Sequence, residues 1–251
     1  MPSAMQRLQP LALGTLGFLL LIVLPWSIAV HMGVRPLILP SGTLLVDTAV
    51  SLIKGNVLLH ASWVSLLRVN IGFIAAVVTA VPLGILLGRS KLLFIASEPI
   101  IESFRFVIPF AWIPLAVLWF GTSEFGKIFI IWYAGFFVML LPTISAVQGI
   151  PRDLVSAART LGASSWTIFW KVALPAIMPA LVTAMRVAFA ICWISILAAE
   201  LVASRAGLGY MMADARELLQ TEVVIIGMAI IGCIGALYNA LFVWLQKRVA
   251  Y

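Results

Sequence analysis

Two stretches of twenty residues, 11–30 and 69–88, contain no charged side chain. About 20 apolar residues are what an α-helix needs to cross the roughly 30 Å hydrocarbon core of a bilayer. Within that core the backbone must satisfy its own hydrogen bonds, which leaves helices and closed barrels as the only spanning structures. Further apolar runs follow at 106–123, 128–150, 176–199 and 223–246. Composition agrees: the chain is 63% hydrophobic and 10% charged, against about 25% charged in an average soluble domain. The fold class read from these features is all-α, a polytopic membrane protein whose residues 1–251 form one transmembrane domain of about six helices. For the first run a cleavable signal peptide competes, because Ser27, Ile28 and Ala29 resemble a cleavage site. The run exceeds the roughly 7–15 apolar residues of such a signal, so a retained span is expected.

The net charge of +7 does not point to nucleic acid, because the basic residues stand singly at the ends of apolar runs and form no stripe. Six spans place both termini on one side of the membrane. With that side cytoplasmic, the inner basic set is Arg7, Arg89, Lys91, Arg105, Arg152, Arg159, Lys171, Lys247 and Arg248. The outer set is Arg35, Lys54, Arg68, Lys127, Arg205 and Arg216. The short loops then follow the positive-inside rule. Cys192 and Cys233 lie in apolar runs as packing residues, and His31 and His60 lack partners at metal-ligand spacing, so no metal is expected.

One connecting segment is built for more than connection. Residues 151–175, PRDLVSAARTLGASSWTIFWKVALP, carry Arg152, Asp153, Arg159 and Lys171 between two apolar runs. Pro151 suits the start of a helix and Gly162 suits the residue after its end. Leu154, Ala158 and Leu161 recur at i, i+4, i+7, and Ser165 is placed to cap a second helix bearing Trp166, Phe169, Trp170 and Ala173. The segment reads either as a docking surface or as an interfacial connector resting on headgroups.

Polar or helix-breaking residues inside the runs mark other candidates. Pro109 and Pro114 would kink the run 106–123, either beside a pathway or for packing. Residues 98–105 read as a short polar interval before it, and Glu124 and Lys127 end it facing outward. Gly84 and Gly88 form a small-xxx-small pair that allows close helix approach. Arg186 interrupts the run 176–199; it either lines a pathway or snorkels and pairs locally. Trp193 and Ser195 lie about two turns further along. Residues 200–222 read as a polar loop.

The segment 151–175 resembles the EAA loop of ABC importer permeases, with Ala157, Ala158, Gly162, Val172, Leu174 and Pro175 at the family spacing. Ser156 stands where the pattern has Glu, and Val172 where it has Ile. The resemblance covers residues 38–248 through ILPSG, SLLRVNIGF, PLGILLGRS, IPFAWIPLAVLWFG, ARTLGASS, LPAIMPAL and AAELVASRAGLGY. It is closest to the branch importing sulfonates, taurine, nitrate or bicarbonate, and LWFGTSEFGKIF with ARELLQTEVV favours the sulfonate/taurine side.

The resemblance implies a type I ABC importer permease fold in a bacterial inner membrane, with cytoplasmic termini. It also implies a second permease copy, most simply as a homodimer surrounded by lipid. The further partners would be two cytoplasmic ATPase subunits and a periplasmic or extracellular solute-binding protein. The chain itself has no G-x-x-x-x-G-K-[ST] loop, so ATP and Mg would be bound by the partner ATPase, and this chain would hold no cofactor and be no enzyme. Arg152, Leu154, Ala157, Ala158, Leu161, Gly162, Leu174 and Pro175 would couple to the ATPase. Arg186, Trp193, Ser195, Pro109 and Pro114 would belong to the translocation pathway of a small anion. From a different class, an ion-coupled secondary transporter would need a carboxylate well inside a span, and in this reading Glu200 lies at an end.

Overall fold

A computed structural model describes residues 39–249, so the expected first span at 11–30 lies outside the described residues. Every regular element among those residues is helical: α1 Gly42–Lys54, α2 Val57–Arg89, α3 Lys91–Arg105, a 3-10 turn Pro109–Trp112, α4 Ile113–Phe120, α5 Glu124–Gln148, α6 Arg152–Thr160, α7 Ser165–Ile168, a π-helical turn Phe169–Ala173, α8 Leu174–Ala203, α9 Leu208–Glu217 and α10 Thr221–Val249. Helices α2, α5 and α10, together with the continuous helix Ser165–Val202, are long and apolar enough to cross a membrane. A bent pair, Lys91–Arg105 with Pro109–Phe120, provides a fifth crossing if counted as one span.

The bundle is organised by a seam between α2 and α5. Gly72, Ala76, Ala80, Gly84 and Gly88 recur every fourth residue and so lie in one stripe on α2. A Cβ on Gly72, Gly84 or Gly88 would come within 2.6–2.7 Å of the Cβ of Ile131, Thr143 or Val147, and one on Gly135 would meet Ala76 Cβ at 2.9 Å. These helices therefore touch backbone to side chain, the close approach that small residues permit in membranes. The pair Gly84 and Gly88 is part of this seam. Overpacking such a contact costs about 1–3 kcal/mol. Gly84→Val is accordingly expected to lower the thermal midpoint in detergent, while Ile85→Val on the same helix leaves it nearly unchanged; differential scanning fluorimetry distinguishes the two.

The same pairs fix the topology. Partner numbers rise together along α2 and α5, so the two helices run parallel and the chain between them must return to its starting side. Residues 91–120 make that return. Instead of one span over 106–123, they form α3, a break at 106–108, the 3-10 turn and α4, with the two halves at 80°. Pro109 disfavours helical geometry at Ile108, which is extended at φ −62°, ψ 135°, and Pro114 sits in the first turn of α4, where a missing N–H is tolerated. The eight residues of α4 reach about 12 Å, too short to cross alone.

Helix α8 runs back antiparallel to α5: Cys192 Sγ meets the Ile131 carbonyl at 3.4 Å, and Glu200 near the end of α8 shares Arg68 with Glu124 at the start of α5. α10 returns beside α8, with Phe189 and Tyr238 stacked at 4.0 Å. One end of the bundle thus carries Arg89, residues 149–173 and Val249. The other carries Asn56, residues 121–123 and residues 204–220.

Three boundaries differ from the hydropathy reading. The run 69–88 is the lower part of a helix that begins at Val57, so Arg68 lies within it. Residues 98–105 are helical within α3, and Glu200 lies within α8.

Candidate functional site

At the first end, 151–175 folds as a helix, a glycine turn and a second helix. Pro151 stands at the cap position and α6 runs over Arg152–Thr160, with Asp153 in its first turn and Arg159 in its last. That placement suits the helix dipole. The end is a complete glycine cap. Gly162 takes φ +79°, its N–H reaches Arg159 O at 2.9 Å, and the Ala163 N–H reaches Ala158 O at 3.0 Å. Glycine adopts that left-handed turn without the Cβ penalty, and the two bonds satisfy carbonyls the helix would otherwise orphan. The cap of α7 is Ser164 and not Ser165: the Ser164 hydroxyl accepts from the Thr167 N–H at 3.2 Å, which makes Ser165 the first helical residue.

No residue of α6 is buried. Leu154 is 50% exposed and Leu161 87%, while Trp166 and Trp170 are 71% and 49% exposed. Ala157 is exposed and Ala158 half-buried; Arg152, Ser156 and Gly162 are exposed. The apolar stripe expected from spacing therefore exists, and the chain itself leaves it uncovered. An apolar face on a folded surface loop rimmed by charge is of the kind that meets a partner protein or a membrane. The second half is joined mechanically to the bundle, because residues 165–202 form one continuous helix whose only irregularity is the π turn at Phe169–Ala173. Leu174 and Pro175 form the first turn of α8, and Arg89 of α2 lies over the Phe169 ring at 5.9 Å. The second half of the loop and α8 are thus one continuous helical piece.

The opposite end holds a second constellation. Arg68, 5% exposed, donates to Glu200 Oε1 at 2.7 Å, to Glu124 Oε1 at 2.6 Å and to the Ala206 carbonyl at 2.6 Å. Glu200, 1% exposed, also accepts from Ser65 Oγ at 2.7 Å and from the Gly209 N–H at 3.0 Å. Lys127, 3% exposed, donates to Glu124 at 2.8 Å. Two cations face two carboxylates, so the cluster is neutral. Gly207, at φ +119°, lies so close to the Glu200 carboxylate that a Cβ would collide with it. The network ties α2, α5 and α8 to the segment leading into α9.

The hydropathy reading puts Arg68 outside a span, whereas it is buried within α2. Glu124 and Lys127 do lie at the end opposite residues 151–175, Glu124 exposed and Lys127 buried, and Glu200 belongs to α8 and not to a loop. The signal in the sequence was one Arg and one Glu in two separate motif blocks, SLLRVNIGF and AAELVASRAGLGY, each flanked by apolar residues.

The remaining candidates separate by exposure. Thr183, Val187, Ala190 and Ile194 form the open face of α8, and Arg186 stands half-buried at its edge, with Nε donating to Asn239 Oδ1 at 2.7 Å. Trp193 and Ser195 are 5% and 1% exposed and pack inside the chain's own core, on opposite flanks of that open face. They do not share the open face. Pro109 is half-buried and Pro114 exposed at the break between α3 and α4.

Comparison with known proteins places this arrangement. The family described as binding-protein-dependent transport system inner membrane component matches residues 80–251. The taurine transport system permease protein TauC of Escherichia coli strain K12 is 34% identical over 250 residues, covering 98% of this chain and 90% of that protein. The nitrate import permease protein NrtB of Leptolyngbya laminosa is 36% identical over 185 residues, covering 74% of this chain and 66% of that protein. Among solved structures, a chain of the inward-facing MetNI methionine ABC transporter superposes with a TM-score of 0.66 at 20% identity, covering 78% of this chain and 97% of that one.

Proposed function

Since this chain belongs to the binding-protein-dependent transport inner-membrane component family and has the type I ABC importer permease fold, we propose that it carries a small anion, a sulfonate such as taurine, across the inner membrane in an ATP-driven importer. The observation that carries the coupling half of this reading is the uncovered apolar stripe of α6 on a loop continuous with α8. Arg152, Leu154, Ala157, Ala158 and Leu161 would meet an ATPase subunit, Gly162 would set the sharp exit, and Leu174 and Pro175 would hand the motion to the span. ATP hydrolysis falls to that partner, because this sequence has no phosphate-binding loop. Two ATPase subunits would drive two copies of this chain, most simply a homodimer in lipid, and the copies would open alternately to each side. An extracytoplasmic binding protein would deliver the anion.

Orientation is supported by charge. The docking end carries exposed Arg89, Lys91, Arg152, Arg159, Lys171, Lys247 and Arg248. At the opposite end the exposed cations are Lys54, Arg205 and Arg216, while Arg68 and Lys127 are themselves buried and ion-paired. That asymmetry supports a cytoplasmic location for the docking loop and the C-terminal end.

For the substrate, the taurine permease aligns with nearly the whole chain, whereas the nitrate permease aligns with three quarters of it. Reconstitution with the neighbouring ATPase and binding protein, followed by uptake of radiolabelled taurine, an alkanesulfonate, nitrate and bicarbonate, tests the assignment. ATP-dependent uptake of a sulfonate is expected. Uptake restricted to nitrate or bicarbonate would move the chain to the other arm of the branch, and uptake independent of ATP would overturn the reading.

A further inference from the structure

Arg105 is not at the cytoplasmic edge where the hydropathy pattern put it, but deep in the bundle. Ile101 is buried in one cluster with Met139, Leu140 and Ile144 of α5, and the Phe104 carbonyl accepts the Tyr133 hydroxyl. At 1.5 Å per residue, Tyr133 and Leu140 lie about 14 Å and about 12 Å from the two ends of α5. Glu102 and Arg105, paired at 2.9 Å, therefore sit near mid-depth, yet their side chains are 42% and 37% exposed. Charge at such depth is tolerated where it faces the interior of an assembly or a water-filled cavity, not lipid.

The backbone argues in the same direction. The chain leaves the helix at 106–108, with Phe106 73% and Ile108 62% exposed. Non-helical backbone at membrane depth persists only where protein buries it or water reaches it. The protein stabilises this break locally: the Val107 N–H bonds Phe104 O at 3.0 Å, and the Ala111 N–H bonds Ile108 O at 2.9 Å. Among the described residues, Arg105 has one ion-pair partner, Glu102 through Nη2, with the Phe106 ring 4.8 Å from its guanidinium carbon. Its other N–H groups are unclaimed. A guanidinium presents such groups in pairs that match two oxygens of a sulfonate or another planar or tripodal oxyanion.

We propose that the break between α3 and α4 lines the translocation pathway between two copies of this chain, and that Arg105, held in place by Glu102, contacts the anion there. The proposal rests on the small-anion permease reading above. Glu102 keeps the pair neutral while the path is empty. Because Glu102 engages one edge of the guanidinium, the anion can be held at another without breaking the pair.

Two measurements test it in reconstituted complexes. In a Cys233→Ser background, which leaves the buried Cys192, a Phe106→Cys variant keeps Arg105 intact. It should react with a membrane-impermeant, negatively charged methanethiosulfonate, and added substrate anion should slow that reaction. No reaction from either side of the bilayer would overturn the proposal. Arg105→Gln should reduce uptake by about tenfold or more, as expected for losing a charged hydrogen bond. Arg105→Lys should recover part of it, and both variants should still co-purify with the ATPase and hydrolyse ATP. Unchanged uptake in Arg105→Gln, with the wild-type complex transporting normally, would sink this contact and leave the permease assignment standing.

Discussion

Glu200→Ala is expected to lower the thermal midpoint of the detergent-solubilised protein more than any other single substitution considered. Removing it leaves Arg68 buried without one of its two carboxylates and strips the Ser65 hydroxyl and the Gly209 N–H of their acceptor. Breaking a buried pair by deleting one partner costs about 3–5 kcal/mol, because the remaining charge is stranded. The loss should also be local in effect, since the same carboxylate and Arg68 hold residues 204–209 against the bundle. Faster proteolysis in that segment should accompany the lower midpoint. The paired replacement Arg68→Met with Glu200→Met should cost less than the sum of the two single changes, because no unpaired charge remains between them. Midpoints from fluorescence-detected gel filtration after heating would measure the cycle, and a wild-type midpoint for Glu200→Ala would show that the network contributes nothing.

Leu154→Asp should have the opposite signature, a large functional loss with almost no loss of stability. Leu154 is half exposed and belongs to a helix with no buried residue, so the folded chain gains little from its side chain. Exposed substitutions of this kind stay within about 0.5 kcal/mol. Placed in an apolar contact with an ATPase subunit, however, the same carboxylate would lose its water without a partner, at a cost of several kcal/mol. Uptake should fall by about a hundredfold or more, since each 1.4 kcal/mol is a factor of ten. A variant that melts early and transports poorly would instead indicate a structural role for this face.

The helix–turn–helix form of residues 151–175 is legible because its determinants are local. A helix over Arg152–Thr160 follows from i, i+4, i+7 spacing, and its stop follows from a glycine whose φ of +79° no other residue adopts as readily. The serine cap was off by one because Ser164 and Ser165 are adjacent and only geometry selects the hydroxyl that reaches Thr167. The spans were legible as apolar runs, but their ends were not. Reading a charge as the end of a helix fails when the charge is paired inside the bundle. The charge pattern sets Arg68 at the flank of a span that in fact begins at Val57, because its partner Glu200 is 132 residues away. The same pattern sets Arg105 on the cytoplasmic side, whereas the apolar run that follows it is broken and bent through 80°. The stripe from Gly72 to Gly88 showed only as one small-xxx-small pair, since a helix partner cannot be read from spacing alone. Sequence distance from Arg186 says nothing of burial, and Trp193 and Ser195 both pack against this chain's own helices, on opposite flanks of the open face of α8.

The central claim is that α6 docks on an ATPase subunit and that the continuous helix through Ser165–Val202 carries the motion into the membrane. Its most direct test is co-purification of the ATPase with tagged wild-type chain and with Leu154→Asp, each checked for an unchanged melting midpoint. The account predicts a stable complex for the wild type and loss of the ATPase from the variant. Recovery of the ATPase with Leu154→Asp in wild-type ratio, together with undiminished ATP-driven uptake, would contradict it.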